Sequence, residues 1–231
     1  MRKAILRGFA AAILVLVAGC AGQVPPVPGV ADLLALEGVR APADPAYLAA
    51  LEAAKREGPG ITKERMVALR AAWMRSPDFD PVMPTRLALR VQPRAGNDCT
   101  RAKAAAQAIL AVHWLDLRSH AVLVACARRE GDRAAEAQHM AIRDAIIEAM
   151  RATGDGSGPA GPLTVISVDE EYALLEILGL RRMTRSVAER DGRRFDVLGV
   201  GDAAGGRVRE MWFAIDPLLA FYARRGGALL P

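Results

Sequence analysis

Aromatic residues make up only 5% of this 231-residue chain, and histidine occurs three times. So few rings leave no material for base-stacking platforms, and no basic run is interleaved with aromatics, so nucleic-acid binding is excluded. The formal charge is +5, but Arg2, Lys3 and Arg7 lie in a leader expected to be removed, which leaves about +2. No apolar run is long enough to span a bilayer comfortably. No His-Glu-x-x-His zinc motif, nucleophile elbow or Cys–His nucleophile signature is present. Gly154-Asp155-Gly156 follows a helix and precedes a strand, the reverse of a phosphate loop, so nucleotide binding is rejected. The composition calls for no cofactor and no metal.

What is present begins with an address. A basic n-region is followed by the short apolar stretch Phe9–Val17 and by Val17-Ala18-Gly19-Cys20. Small residues ahead of a cysteine resemble the lipobox of bacterial lipoproteins. The resemblance implies a signal peptide over residues 1–19 and a lipidated (palmitate-type) Cys20 as the first mature residue. Ala21 is not the aspartate that retains lipoproteins at the inner membrane, so the expected location is the outer membrane, facing the periplasm. Residues 20–43 read as a Pro-rich tether with a short helix near Asp32–Glu37.

The body divides by composition. Residues 44–154 are Ala-rich and read as helices: Pro45–Glu57 capped by Asp44, Lys63–Arg75 capped by Thr62, a helix from Asn97 or Asp98 to Val112, a second to about Arg129, and a third from Arg133 to Thr153. Ala121, Leu123, Val124 and Ala127, followed by Gly131-Asp132, loosely resemble a tetratricopeptide (TPR) hairpin, although Glu136 stands where that repeat wants a small residue. Residues 155–231 read as β-α-β-β-β, with a strand at Leu163–Ser167, a helix opening at Ser167-Val168-Asp169-Glu170, and strands at 180–189, 193–200 and 207–215. The Asp191-Gly192 pair marks a hairpin. The expected class is therefore α+β: a helical hairpin array followed by an antiparallel sheet packed with one helix.

Cys99 and Cys126 are equidistant from the expected turn at His113–Asp116, so an antiparallel hairpin would bring them together as a disulfide. The other reading is two small residues buried separately. His113, Asp116 and His120 share a face if one helix runs through them, and would then offer metal ligands. A turn there scatters them. His120 and His139 flank the Gly131-Asp132 turn and can meet. Glu171 and Tyr172 are not explained by helix capping. Glu171 with His120 or His139 is the acid–base set an enzyme would use. Asp155 and Tyr172 are weaker candidates for binding.

Segments spread along the body invite comparison with a family: ERMVALRAAWMRSPDFDP at Glu64–Pro81, LDLRSHAVLVACARREGD at Leu115–Asp132, His139, Gly154-Asp155-Gly156, VISVDEEYALLEILGL at Val165–Leu180, RRFDVLGV at Arg193–Val200 and MWFAID at Met211–Asp216. Together they resemble the bacterial family known as domain of unknown function 4919, over roughly Thr62–Phe221. Phe79-Asp80-Pro81 stands where many members have Tyr-Asn-Pro. The resemblance implies a secreted or lipid-anchored protein and assigns no activity. The leading expectation is a non-catalytic envelope lipoprotein that binds a periplasmic protein or peptide. The alternative is a periplasmic hydrolase or transferase using His120, His139 and Glu171.

Overall fold

The computed structural model describes residues 29–35, 39–87, 98–202, 206 and 208–226. The expected leader, Cys20 and half of the expected tether lie outside the described residues. Among those described, no helix is long and apolar enough to cross a membrane.

Helix α1 (Val30–Leu34) is a single turn that buries Leu33. Helix α2 (Pro45–Glu57) starts where the Asp44 carboxylate accepts the Tyr47 N–H at 3.0 Å. Helix α3 (Lys63–Arg75) starts in the same way, with Thr62 accepting the Arg65 N–H. These caps satisfy N–H groups that have no partner inside the helix. Ile61 and Met66 are both buried on either side of the Thr62 cap, as a hydrophobic staple requires. Three of the scarce aromatics meet here. Trp73 meets Tyr47 at 4.8 Å and Phe79 edge-on at 5.8 Å, and Phe79 in turn meets Phe221. Phe79 thus folds back into the core and ties the helical half to the C-terminus.

Helices α4 (Cys99–Val112), α5 (Leu117–Glu130) and α6 (Arg133–Arg151) form successive antiparallel hairpins. Asp116 and Asp132 cap the second and third, and Gly131 supplies the left-handed residue between them. Cys99 and Cys126 are disulfide-bonded, with Cα atoms 5.4 Å apart, and join α4 to α5. Glu136, awkward for a tetratricopeptide reading, is held by Arg128 and Arg133.

The sheet differs from the all-antiparallel expectation. β1 (Leu163–Thr164), helix α7 (Val168–Ile177), β2 (Leu180–Arg190), β3 (Arg193–Asp202) and β4 (Arg209–Ala214) give the order β1-β4-β3-β2. β1 runs parallel to β4, with Leu163 opposite Phe213, so the sheet is mixed. The route through α7 and the β2–β3 hairpin returns the chain so that β4 lies between β3 and β1. Asp191 and Gly192 both have positive φ, the backbone that a two-residue hairpin turn requires. Helix α8 (Asp216–Arg224), with Pro217 in its first turn, closes the described structure and is a second helix against the sheet.

One hydrophobic core runs through both halves. It includes Trp73, Ile146, Leu174, Leu198 and Phe213, so residues 44–154 and 155–226 are packed as one body. A smaller cluster of Phe195, Val197, Trp212 and Ala214 occupies the opposite face of the sheet.

Candidate functional site

His120 on α5 and His139 on α6 meet across the helix hairpin, with their Nδ1 atoms 3.1 Å apart. His120 Nε2 lies 3.0 Å from the Trp114 carbonyl oxygen. A carbonyl only accepts, so His120 carries its proton on Nε2 and its Nδ1 is an acceptor. His139 must then donate from Nδ1, which leaves its Nε2 lone pair free. His120 is fully buried, and burial drives its pKa down to about 3; half-buried His139 is also lowered by desolvation. Both rings are neutral at physiological pH, as hydrogen-bonded packing groups.

The metal-ligand face does not form. Helix α4 ends at Val112, His113 is its C-cap residue and Asp116 caps the next helix, so the turn separates His113 from His120. His113 instead packs beside Trp73 at 5.8 Å, and burial lowers its pKa to about 4. Among the described residues no group of three His, Cys, Asp or Glu side chains is placed to hold a metal ion.

Glu171 is not brought to the histidines. It is fully buried, and its electrostatic neighbours are Asp196 on β3, Arg185 on β2 and Glu170. The neighbours of His120 are Trp114, His139 and His113. The expected acid–base set is therefore split between a helix hairpin and a helix–sheet interface. Arg185 donates from Nε to Asp196 at 2.8 Å, satisfying one of the two carboxyl groups. As a carboxylate, Glu171 finds no donor for either oxygen; as a carboxylic acid, it donates to Asp196. Burial first, and then the Asp196 charge, raise its pKa well above the ordinary value. Burial thus favours the protonated form of Glu171 inside the fold. Tyr172 is half-buried, accepts from Arg182 at 3.3 Å and carries that guanidinium over its ring.

Glu170 does more than open a helix. Ser167 accepts its N–H, but its carboxylate reaches Arg70 on α3 and the Ile166 N–H at 2.9 Å. Arg70 also donates to the Thr164 carbonyl at 3.0 Å. Sequence patterning passes over Arg70, because it lies among the apolar positions of α3 with no local partner. Asp196 leaves a faint signal, a lone charge between Phe195 and Val197 in a buried strand.

Several hollows open between the described elements. One, of about 480 Å³, runs between α4, α5 and α7. Its walls are largely alanines, such as Ala105, Ala121 and Ala125, with Ile109 and Val122; Arg118 pairs with Glu176 at its edge. A second, of about 350 Å³, includes His139, Lys103 and Glu130, which form an ion pair at 2.5 Å. A third, of about 260 Å³, lies where α6 ends beside α7 and β4, with Asp155 at its rim. Asp155 accepts from the Ser157 N–H and hydroxyl, which hold its carboxyl below the ordinary range.

The fold defines an α+β protein with a helical array packed on a small mixed sheet; among the described residues His120 and Glu171 stand in separate contacts. The family model for a domain of unknown function, DUF4919, matches residues 87–224, more than half of the chain, and the protein belongs to that family. The Glu64–Pro81 segment that resembles the family lies N-terminal to the matched stretch. No curated protein and no solved structure matches the chain.

Proposed function

We propose that this is a lipid-anchored, non-catalytic envelope protein that holds an apolar segment of a periplasmic protein or peptide in the groove between α4, α5 and α7. The observation that carries the reading is the separation of the acid–base candidates: His120 and Glu171 are each fully buried in a different contact, away from the groove. The groove has the complementary character. Its small side chains let a helix approach closely, and its floor is apolar with charge only at the edge. The lipobox-like leader sequence and Cys20 support an address on the periplasmic side of the outer membrane.

A photo-crosslinking residue at Val122, within the groove, should capture one recurrent partner from intact envelopes. The same residue at exposed Glu148 on α6 should not. Equal capture at both positions, or none at Val122, overturns the binding role. Palmitate labelling of the wild type against Cys20→Ala tests the anchor separately: label should be lost in the variant, and label retained there would remove the proposed address.

A further inference from the structure

The 260 Å³ hollow at the junction of the two halves has a different chemistry from the groove. Its apolar floor comes from Ile147 and Met150 of α6, Leu174 of α7 and Met211 of β4. Arg209 at the start of β4 stands on one part of its rim; its backbone pairs with Val200 of β3, and its side chain makes no ion pair or hydrogen bond among the described residues. Asp155 stands on another part, on the loop that follows the C-terminal end of α6. Arg151, also on the rim, is engaged by Glu148 one turn back.

These features have a consistent polarity. The C-terminal end of a helix carries partial negative charge, so the α6 end and Asp155 together favour a cation and oppose an anion. The unpaired guanidinium of Arg209 favours a carboxylate, which it can hold through two parallel N–H donors. The floor between them favours hydrocarbon. At about 30 Å³ per water-sized group, the space holds roughly eight or nine non-hydrogen atoms. The loop that presents Asp155 is rigidly placed. Gly156 N–H donates to the Gly161 carbonyl at 2.8 Å, and a Cβ on Gly154 would come within 2.3 Å of that same oxygen. The Gly156 carbonyl in turn accepts from the Trp212 N–H, which fixes the loop to β4.

From this arrangement we infer that the hollow is a binding site for a zwitterionic α-amino acid with an apolar side chain. Its carboxylate lies on Arg209, its ammonium group faces Asp155 and the α6 terminus, and its side chain enters the floor. The site is separate from the groove, and its occupancy does not depend on the groove's partner.

The test uses the full chain carrying ¹³C-methyl methionine, because Met150 and Met211 both line the hollow. Three probes share one side chain: L-leucine, leucinamide without the carboxylate, and 4-methylpentanoate without the ammonium. L-Leucine should shift both methyl signals saturably, and each truncated probe should bind about ten-fold or more weakly, the equivalent of one charge-assisted hydrogen bond. Arg209→Ala should reduce leucine binding to the level of leucinamide. Asp155→Asn, which keeps an oxygen to accept from Ser157, should reduce it to that of 4-methylpentanoate. Equal affinity for the three probes, unchanged leucine affinity in both variants, or no saturable shift at millimolar leucine overturns the assignment.

Discussion

Arg70 and Glu170, a hundred residues apart in the chain, form a two-pronged ion pair that is almost wholly shielded from water. The pair joins α3 to the start of α7; Arg70 Nη2 also donates to the Thr164 carbonyl, and Glu170 Oε2 also accepts from the Ile166 N–H. A buried charge left without its partner costs far more than the intact pair contributes. Arg70→Met should therefore lower unfolding stability by about 3–5 kcal/mol. Arg70→Met with Glu170→Leu should recover part of that loss, leaving about 1–3 kcal/mol for the two orphaned backbone groups. Denaturant titration of the three proteins checks the order.

Glu171 sets a dependence in the alkaline direction. Its pKa is raised in the fold, so the native state retains a proton that the unfolded chain releases near pH 4.5. Stability then falls as pH rises above the unfolded value, by up to about 1.4 kcal/mol per pH unit, until the native carboxyl itself ionises. Glu171→Gln keeps a donor for Asp196 and should remove that slope. The variant should match the wild type near pH 4 and become the more stable of the two toward neutral pH. Parallel stability curves from pH 4 to 8 would show instead that Glu171 is ionised in the fold.

The buried histidines act with the opposite sign. His113 and His120 stay neutral in the native state down to about 4 and about 3, whereas an unfolded histidine takes up its proton near 6.5. Stability contributed at neutral pH is lost as pH falls below 6.5, by up to about 1.4 kcal/mol per pH unit for each ring. His113→Phe fits the aromatic contact with Trp73 and removes an Nδ1 that has no partner. Thermal unfolding between pH 7 and 5 should show a shallower decline for this variant than for the wild type.

The disulfide spans 27 positions. A closed loop of that size restricts the unfolded chain by about 3 kcal/mol in the chain-entropy model. Cys99→Ser with Cys126→Ser should lower the denaturation midpoint accordingly. Reduction of the wild type should give the same midpoint, since both treatments remove one covalent tie and no other contact.

Local chemistry made most of the helical half legible. Asp44, Thr62, Asp116 and Asp132 each cap a helix where a short polar side chain precedes an apolar period. Gly131 marks a helix end by its backbone alone. The pairing of Cys99 with Cys126 was open from spacing and was decided by how α4 and α5 face each other. The sheet was harder. Only two residues of the expected Leu163–Ser167 strand pair, because Ser167 is drawn into the cap of α7. The parallel β1–β4 contact has no turn between its partners for the sequence to advertise. The candidate site failed for a similar reason: whether His120, His139 and Glu171 share a pocket depends on the angle between a helix hairpin and a sheet. Long separation in sequence hid Arg70 from Glu170, and set Asp155 and Arg209 on the same hollow without a local signal.

The placement of β4 between β1 and β3 has a consequence for biogenesis. β1 has no strand to pair with until nearly the whole polypeptide is available, whereas the helical hairpins are complete by Arg151. A chain emerging N-terminus first can assemble its helices early, but must leave Leu163 and the β1 edge unsatisfied until Phe213 arrives. Shortened products ending before Arg209 would carry a finished helical array and an exposed apolar seam, a state that proteases can recognise and remove.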